Sequence, residues 1–212
     1  MKNRAIFSLL YLLFVMGFLT GVQAQVKEIT ADEYRKAVEG ANKKTSETYP
    51  RISTSASNIV GLGPSSFRTV YETERRSYNE SQRPDSDDPV VKISIDYDGE
   101  HFDELSPGLW MGFGNRATCG FSPQESPAVA IFYTLEETTE AGSKFRIYIE
   151  SKTLADTTNY YSKTKIDSVG RIVSTESNKN YLYTSTYEYP KTVTPIQKPT
   201  NFGSALDLTK LH

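Results

Sequence analysis

Between Val90 and Ile196 apolar and polar residues keep alternating in short runs, and turn signals end each run. A period of two puts successive side chains on opposite faces of a strand, so this stretch must build antiparallel sheet. Val91, Ile93, Ile95 and Tyr97 alternate with Lys92, Ser94 and Asp96. Asp98-Gly99 follows, and a type I′ turn needs the positive φ these residues tolerate, which predicts a hairpin returning through His101–Leu105. A second meander runs through Ala128–Thr134, a turn at Ala141-Gly142-Ser143, then Phe145, Ile147 and Ile149 alternating with Arg146, Tyr148 and Glu150. Strands over Tyr160–Ile166, Arg171–Ser177 and Tyr181–Tyr189 complete it, and the last carries Tyr181, Tyr183, Tyr187 and Tyr189 on one face. Pro190, Pro195 and Pro199 then stop the sheet, since proline cannot donate to a ladder, and Val193 and Ile196 are placed to tack an extended tail onto the body.

One helix precedes the sheet. Thr30 and Glu33 form a capping box, Ile29 and Tyr34 a hydrophobic staple, and Tyr34, Ala37, Val38 and Ala41 an apolar stripe that ends before Tyr49-Pro50. Arg51–Ile59 and Phe67–Tyr78 read as solvated, weakly apolar strands, and Ser77–Asp88 as an exposed loop. Ser106–Pro127 breaks the rhythm, with Pro107, Gly108, Gly112 and Gly114 among Leu109, Trp110, Met111, Phe113 and Phe121. A loop this long inside a compact domain is commonly a lid or binding loop, and the alternative is a plug for the open side of the sheet.

The first 24 residues have the basic start (Lys2, Arg4), short apolar core and Val22-Gln23-Ala24 ending of a cleavable secretory signal, cut after Ala24. Its apolar core is short for a bilayer span, so the mature chain is expected to have no stable membrane span. The reading is therefore a signal peptide over 1–24, one domain over 25–200 and a C-terminal tail over 201–212. Cleavage removes two positive charges and moves the net charge from −2 to −4, which excludes a nucleic-acid partner that would need clustered Lys and Arg. One cysteine, Cys119, cannot form an internal disulfide, which favours a bacterial periplasm or exterior over a eukaryotic one.

Chemistry-bearing clusters are scarce. His101 and His212 are the only histidines, and His101, two residues past a hairpin turn, is expected to face solvent. That leaves no catalytic residues, no metal site and no cofactor in this reading. Asp85, Asp87 and Asp88 lack the ligand spacing of a calcium loop and read as solvated charge, as do Glu136, Glu137 and Glu140. Cys119 has no CxxC partner, and Gly112-Phe113-Gly114 lacks the dinucleotide fingerprint.

The run Arg146–Leu154 resembles the LolA/LolB-like superfamily's strand ending in I-D-x-x-T-G-L, with Glu150 where Asp is common and Ala155 in place of Gly. Asp167–Ile172 resembles its next hairpin. Thr184–Tyr189 with Val193, Pro195, Ile196 and Pro199 resembles its closing T-x-x-Y-x-Y and I-x-x-P. That group contains periplasmic lipoprotein carriers and the LppX/LprG-type lipid-binding proteins. The resemblance implies an α+β, mostly β fold: a strongly curved antiparallel sheet, an incomplete barrel, covering an N-terminal helix and a long loop. It implies a non-enzymatic exported protein, periplasmic or secreted, that binds a lipid or other hydrophobic small molecule.

Candidate ligand contacts are Trp110, Met111 and Phe113 from the loop, and Phe145, Ile147 and Ile149 along the concave face, where plain core is the competing role for the last three. The alternative is an envelope interaction module whose protein partner docks on the tyrosine strand, and behind it a carboxylate hydrolase.

Overall fold

The structure is a computed structural model that describes residues 25–59, 63–82, 91–113, 128–155, 159–178 and 182–201. It is mostly β, with one helix and a single large, curved, unclosed antiparallel sheet. In chain order the elements are β1 (Gln25–Glu28), α1 (Ala31–Glu47), β2 (Arg51–Ile59), β3 (Gly63–Thr73), β4 (Arg76–Gln82), β5 (Val91–Tyr97), β6 (Glu100–Ser106) and β7 (Leu109–Phe113). β8 (Ala128–Glu140), β9 (Ser143–Leu154), β10 (Asn159–Asp167), β11 (Ile172–Ser177) and β12 (Leu182–Glu188) follow. The spatial order is β1-β8-β9-β10-β11-β12-β2-β3-β4-β5-β6-β7.

That order sets what covers the sheet. β1 lies at one edge and β2 in the middle, six strand spacings away. At about 4.8 Å each this is roughly 29 Å, and the 17 residues of α1 supply about 26 Å of helix. The helix therefore spans the β8–β12 half of one face. Its stripe closes a core of Ala41, Tyr148, Ile166 and Ile172, with Ile29, Tyr34, Ala37, Val38, Leu135 and Tyr187 packed around it.

The chain leaves β12 beside β2, and the segment 190–201, here called the strap, crosses the other half. It lies on the opposite face: Ile196 packs with Ile95 and Phe102, and Tyr78, Tyr97 and Trp110 surround them. Cross-strand partners carry the face of Tyr148 through Thr164, Thr175, Ser185, Ser55, Phe67, Ser81, Lys92 and Ser94 to Asp103, so Ile95 and Phe102 point away from the helix side. Between the two cores the helix-side face is hydroxylated, with Ser55 Oγ 2.7 Å from Ser185 Oγ and Ser57 Oγ 2.7 Å from Ser65 Oγ.

Local signals act as the sequence implies at several points. Thr30 accepts from the Glu33 amide at 3.2 Å and Glu33 Oε2 accepts from the Thr30 amide at 2.8 Å. Asp98 and Gly99 take φ values of 52° and 97°, and Ala141 and Gly142 values of 47° and 79°. At the other end of α1, Arg51 Nη1 donates to the carbonyls of Thr45 and Ser46 at 3.1 and 2.8 Å, its guanidinium 3.9 Å from the Tyr71 ring centre.

Three expectations need correction. Ser77–Gln82 is not loop but most of β4, hydrogen-bonded to β3 on one side and β5 on the other. Its polarity is tolerated because its side chains find partners, as when Ser77 donates to Asp96. Phe67–Tyr78 is accordingly two strands, β3 turning into β4. Within Ser106–Pro127, Leu109–Phe113 is strand β7, joined to β6 by a tight turn at Gly108 (φ 77°). The remainder of that expected loop, with Cys119, lies outside the described residues. So do the signal segment, Asp85–Asp88 and Tyr181.

Candidate functional site

The strap does not seal against the sheet. A cavity of about 980 Å³ lies between them, with Ile52, Val70, Tyr78, Ile95 and Trp110 on the sheet side and strap residues on the other. Four of those sheet residues are aliphatic or aromatic side chains that alternate inward from β2, β3, β4 and β5, and Trp110 closes the row from β7. The floor is held close to the backbone at one point: a Cβ on Gly112 would meet the Phe102 ring at 3.4 Å, and the two residues face each other across β6 and β7. Glycine there lets the Phe102 ring lie flat on β7.

At the β3–β4 side of the cavity Tyr78 donates to Glu80 Oε1 at 3.1 Å, and Arg68 approaches Glu80 Oε2 at 3.5 Å. Burial, then the Glu80 contact, push the Tyr78 hydroxyl above its ordinary value, so it stays a donor. The sheet wall is thus mainly apolar, with Arg68 and the Tyr78 hydroxyl as its polar groups. The strap wall mixes Val193, Ile196 and prolines with Thr192, Thr194, Gln197 and Lys198, so a ligand would meet an apolar floor and a polar-edged roof.

Of the residues singled out from sequence, Trp110 is in this cavity. Met111, next along β7, points to the other face, into a second depression of about 880 Å³ with Phe67, Thr69 and Ser94. Phe113 pairs with His101 through its backbone, and its side chain is outside the described set. Phe145 lies under the Lys165 ammonium, 4.4 Å from the ring centre, and lines a smaller recess beside Asp167. Ile147 and Ile149 are half-buried and face away from α1, because Tyr148 between them points to it. Among the described residues no cavity brings all six together. The tyrosine strand is not an open strip either: Tyr187 packs on the helix core, and Tyr189 donates to the Ile172 carbonyl. Tyr183 alone of the described three is exposed.

His101 is not solvent-facing; it is 9% exposed. Its Nδ1 lies 2.7 Å from Asp96 Oδ1 and its Nε2 3.1 Å from Asp103 Oδ1. An imidazolium can donate to both carboxylates, and a neutral ring to one. Ser77 Oγ donates to Asp96 Oδ2 at 2.8 Å rather than to the imidazole, so the order is not that of a serine nucleophile and its base. The cluster ties β4, β5 and β6 together beneath the Ile95–Phe102 floor. Alternation had assigned this face to solvent, and no sequence signal marks the three residues as neighbours except the hairpin register that Asp98-Gly99 sets.

Burial opposes charge on Asp96, but hydrogen bonds from His101 and Ser77 and the His101 charge together hold its carboxyl below the usual range. A depressed folded value contributes stability that is present above the unfolded value of about 3.9 and is lost as pH falls through the folded one. Asp96→Asn is therefore expected to flatten the fall in urea midpoint between about pH 5 and pH 2. An acid limb as steep as that of the unaltered chain would show that Asp96 is not among the groups that set it.

Compared with known families and curated proteins, the chain matches no family model and no curated sequence.

Proposed function

We propose that this protein is a non-enzymatic, exported binder of a lipid or other hydrophobic small molecule, held between the strap and the sheet. The observation that carries the reading is the cavity of about 980 Å³ floored by Ile95 and Trp110 and roofed by the strap. Burying an apolar ligand there yields about 25 cal/mol per Å² before ordering costs are subtracted. The five strand spacings from β2 to β7 make the groove about 24 Å long. One leaflet of a bilayer has about 15 Å of hydrocarbon, so a whole acyl chain fits along it. A curved, unclosed sheet over a helix is also the architecture that the LolA/LolB-like resemblance implies, with the ligand on the strap side rather than against the helix. Export rests on the N-terminal basic and apolar segments, and a cut after Ala24 would leave β1 whole.

Trp110 is the chain's single tryptophan, so its emission reports on the groove alone. Titration with oleic acid is expected to shift that emission to the blue and to saturate, and native mass spectrometry of detergent-free protein to show the added mass. Trp110→Ala should weaken binding of dansyl-labelled undecanoic acid by about tenfold or more. Unchanged emission together with a clean apo mass, with fatty acids and phospholipids both supplied, would overturn the reading.

A further inference from the structure

We propose that the C-terminal strap is a lid on this groove: residues 190–201 swing away to admit the hydrophobic ligand and close over it. The inference rests on the binding reading above and adds how the site is entered. With the strap in place the cavity already has room for an occupant, and the strap forms one whole wall of it. The cleft is partly open to solvent, so a ligand there is clasped between strap and sheet, and a strap that lifts widens the way in for a long apolar chain.

The strap is built to move without disturbing the sheet. None of its residues belongs to a strand. Pro190, Pro195 and Pro199 keep it extended and remove amide donors, so it cannot join a ladder and has none to unzip on leaving. Its attachments are few and separable. Ile196 and Pro199 are its two buried residues, and the Ile196 amide donates to Glu72 Oε2 at 3.0 Å. Lys198 pairs with Glu100 at an exposed position, where ion pairs contribute little.

The far end is a two-part clasp on the turn before β7. The Trp110 amide donates to the Asn201 carbonyl at 3.0 Å, and Asn201 Nδ2 donates to the Gly108 carbonyl at 3.0 Å. The clasp thus holds the strap to the backbone of Trp110, the residue that closes the floor at that end. Segments with few buried contacts and local hydrogen bonds open well below the global unfolding free energy.

Hydrogen exchange on the ligand-free chain reads the opening directly. The Trp110 and Ile196 amides should exchange together, about tenfold or more faster than the ladder amides of β5. Adding dansyl-labelled undecanoic acid should slow both. Asn201→Ala removes one clasp bond and should raise the association and dissociation rates of that probe about fivefold each, leaving Kd nearly unchanged. Glu100→Gln, which releases Lys198 on the exposed side, should move both rates the same way by less. Strap amides that exchange only with global unfolding, or probe rates equal in the unaltered chain and Asn201→Ala, overturn the lid while leaving the binding reading standing. Failure of the unaltered chain to bind the probe overturns the binding reading and the lid's purpose with it, and the exchange data still show whether the strap opens.

Discussion

Phe102→Ala is expected to cost about 3–5 kcal/mol of stability, the usual range for emptying a buried aromatic site. Phe102 is 3% exposed and packs with Ile95 and Ile196, and its ring rests on the Gly112 backbone. The sheet side of the site cannot collapse easily, because Ile95 and Gly112 are held by the ladders of β5 and β7. A strap that loses its anchor should also open more often, so the same variant should expose Trp110 to acrylamide quenching. Phe102→Leu keeps most of the volume and is expected to cost less than half as much. Urea unfolding of the three proteins checks this. Equal losses for Ala and Leu would mean that ring stacking, and not filled volume, sets the stability of this floor.

Thr45→Val is expected to cost about 1–3 kcal/mol although it preserves shape, because it leaves a buried amide without an acceptor. Thr45 is a buried residue of α1 whose Oγ1 accepts from the Ile172 amide at 2.8 Å and can donate its own proton to the Tyr189 hydroxyl oxygen at 3.3 Å, the Tyr189 proton being given to the Ile172 carbonyl. The need for it arises in the sheet. The β10–β11 register shifts between Lys165 and Ile166, and at the end of that irregular stretch the Ile172 amide turns to the helix. Thr45→Ser keeps the hydroxyl and loses only a methyl, so it should retain most of the stability. Equal destabilisation by Val and Ser in thermal or urea unfolding would assign the effect to packing instead.

The parts of this fold visible in the sequence are those decided within a few residues. The capping box at Thr30 and Glu33 fixes the start of α1, and Asp98-Gly99 fixes the β5–β6 hairpin and with it the partnership of Ile95 and Phe102. β4 was hidden because its status as a central strand depends on backbone partners in β3 and β5, while its own side chains are polar on both faces. β7 was hidden by Gly112, which reads as a loop residue until its Phe102 partner is known. Trp110 is visible as an aromatic outlier, and Val193 and Ile196 mark an extended tail that packs on the body. The sequence does not show that this tail crosses above Trp110, because that requires β12 to pair with β2 and so launch the tail across β3–β7. His101 departs from expectation for a local reason: polar-out alternation holds for its face, but Asp96 and Asp103 on either side cover the ring while remaining partly exposed themselves.

Each half of the sheet takes its cover from the far end of the chain. The strands β2–β7 form early in the sequence, yet the strap that covers their apolar face is the last segment described; α1 comes near the start, yet β8–β11 beneath it come in the second half. Neither core can close while the chain is still being made. Contacts of such long sequence separation make folding slow and late, and until residues 190–201 arrive Ile95, Phe102 and Trp110 stay uncovered. An unfinished chain therefore presents to its surroundings the same apolar row that the finished protein covers, and is open to self-association until the strap is in place.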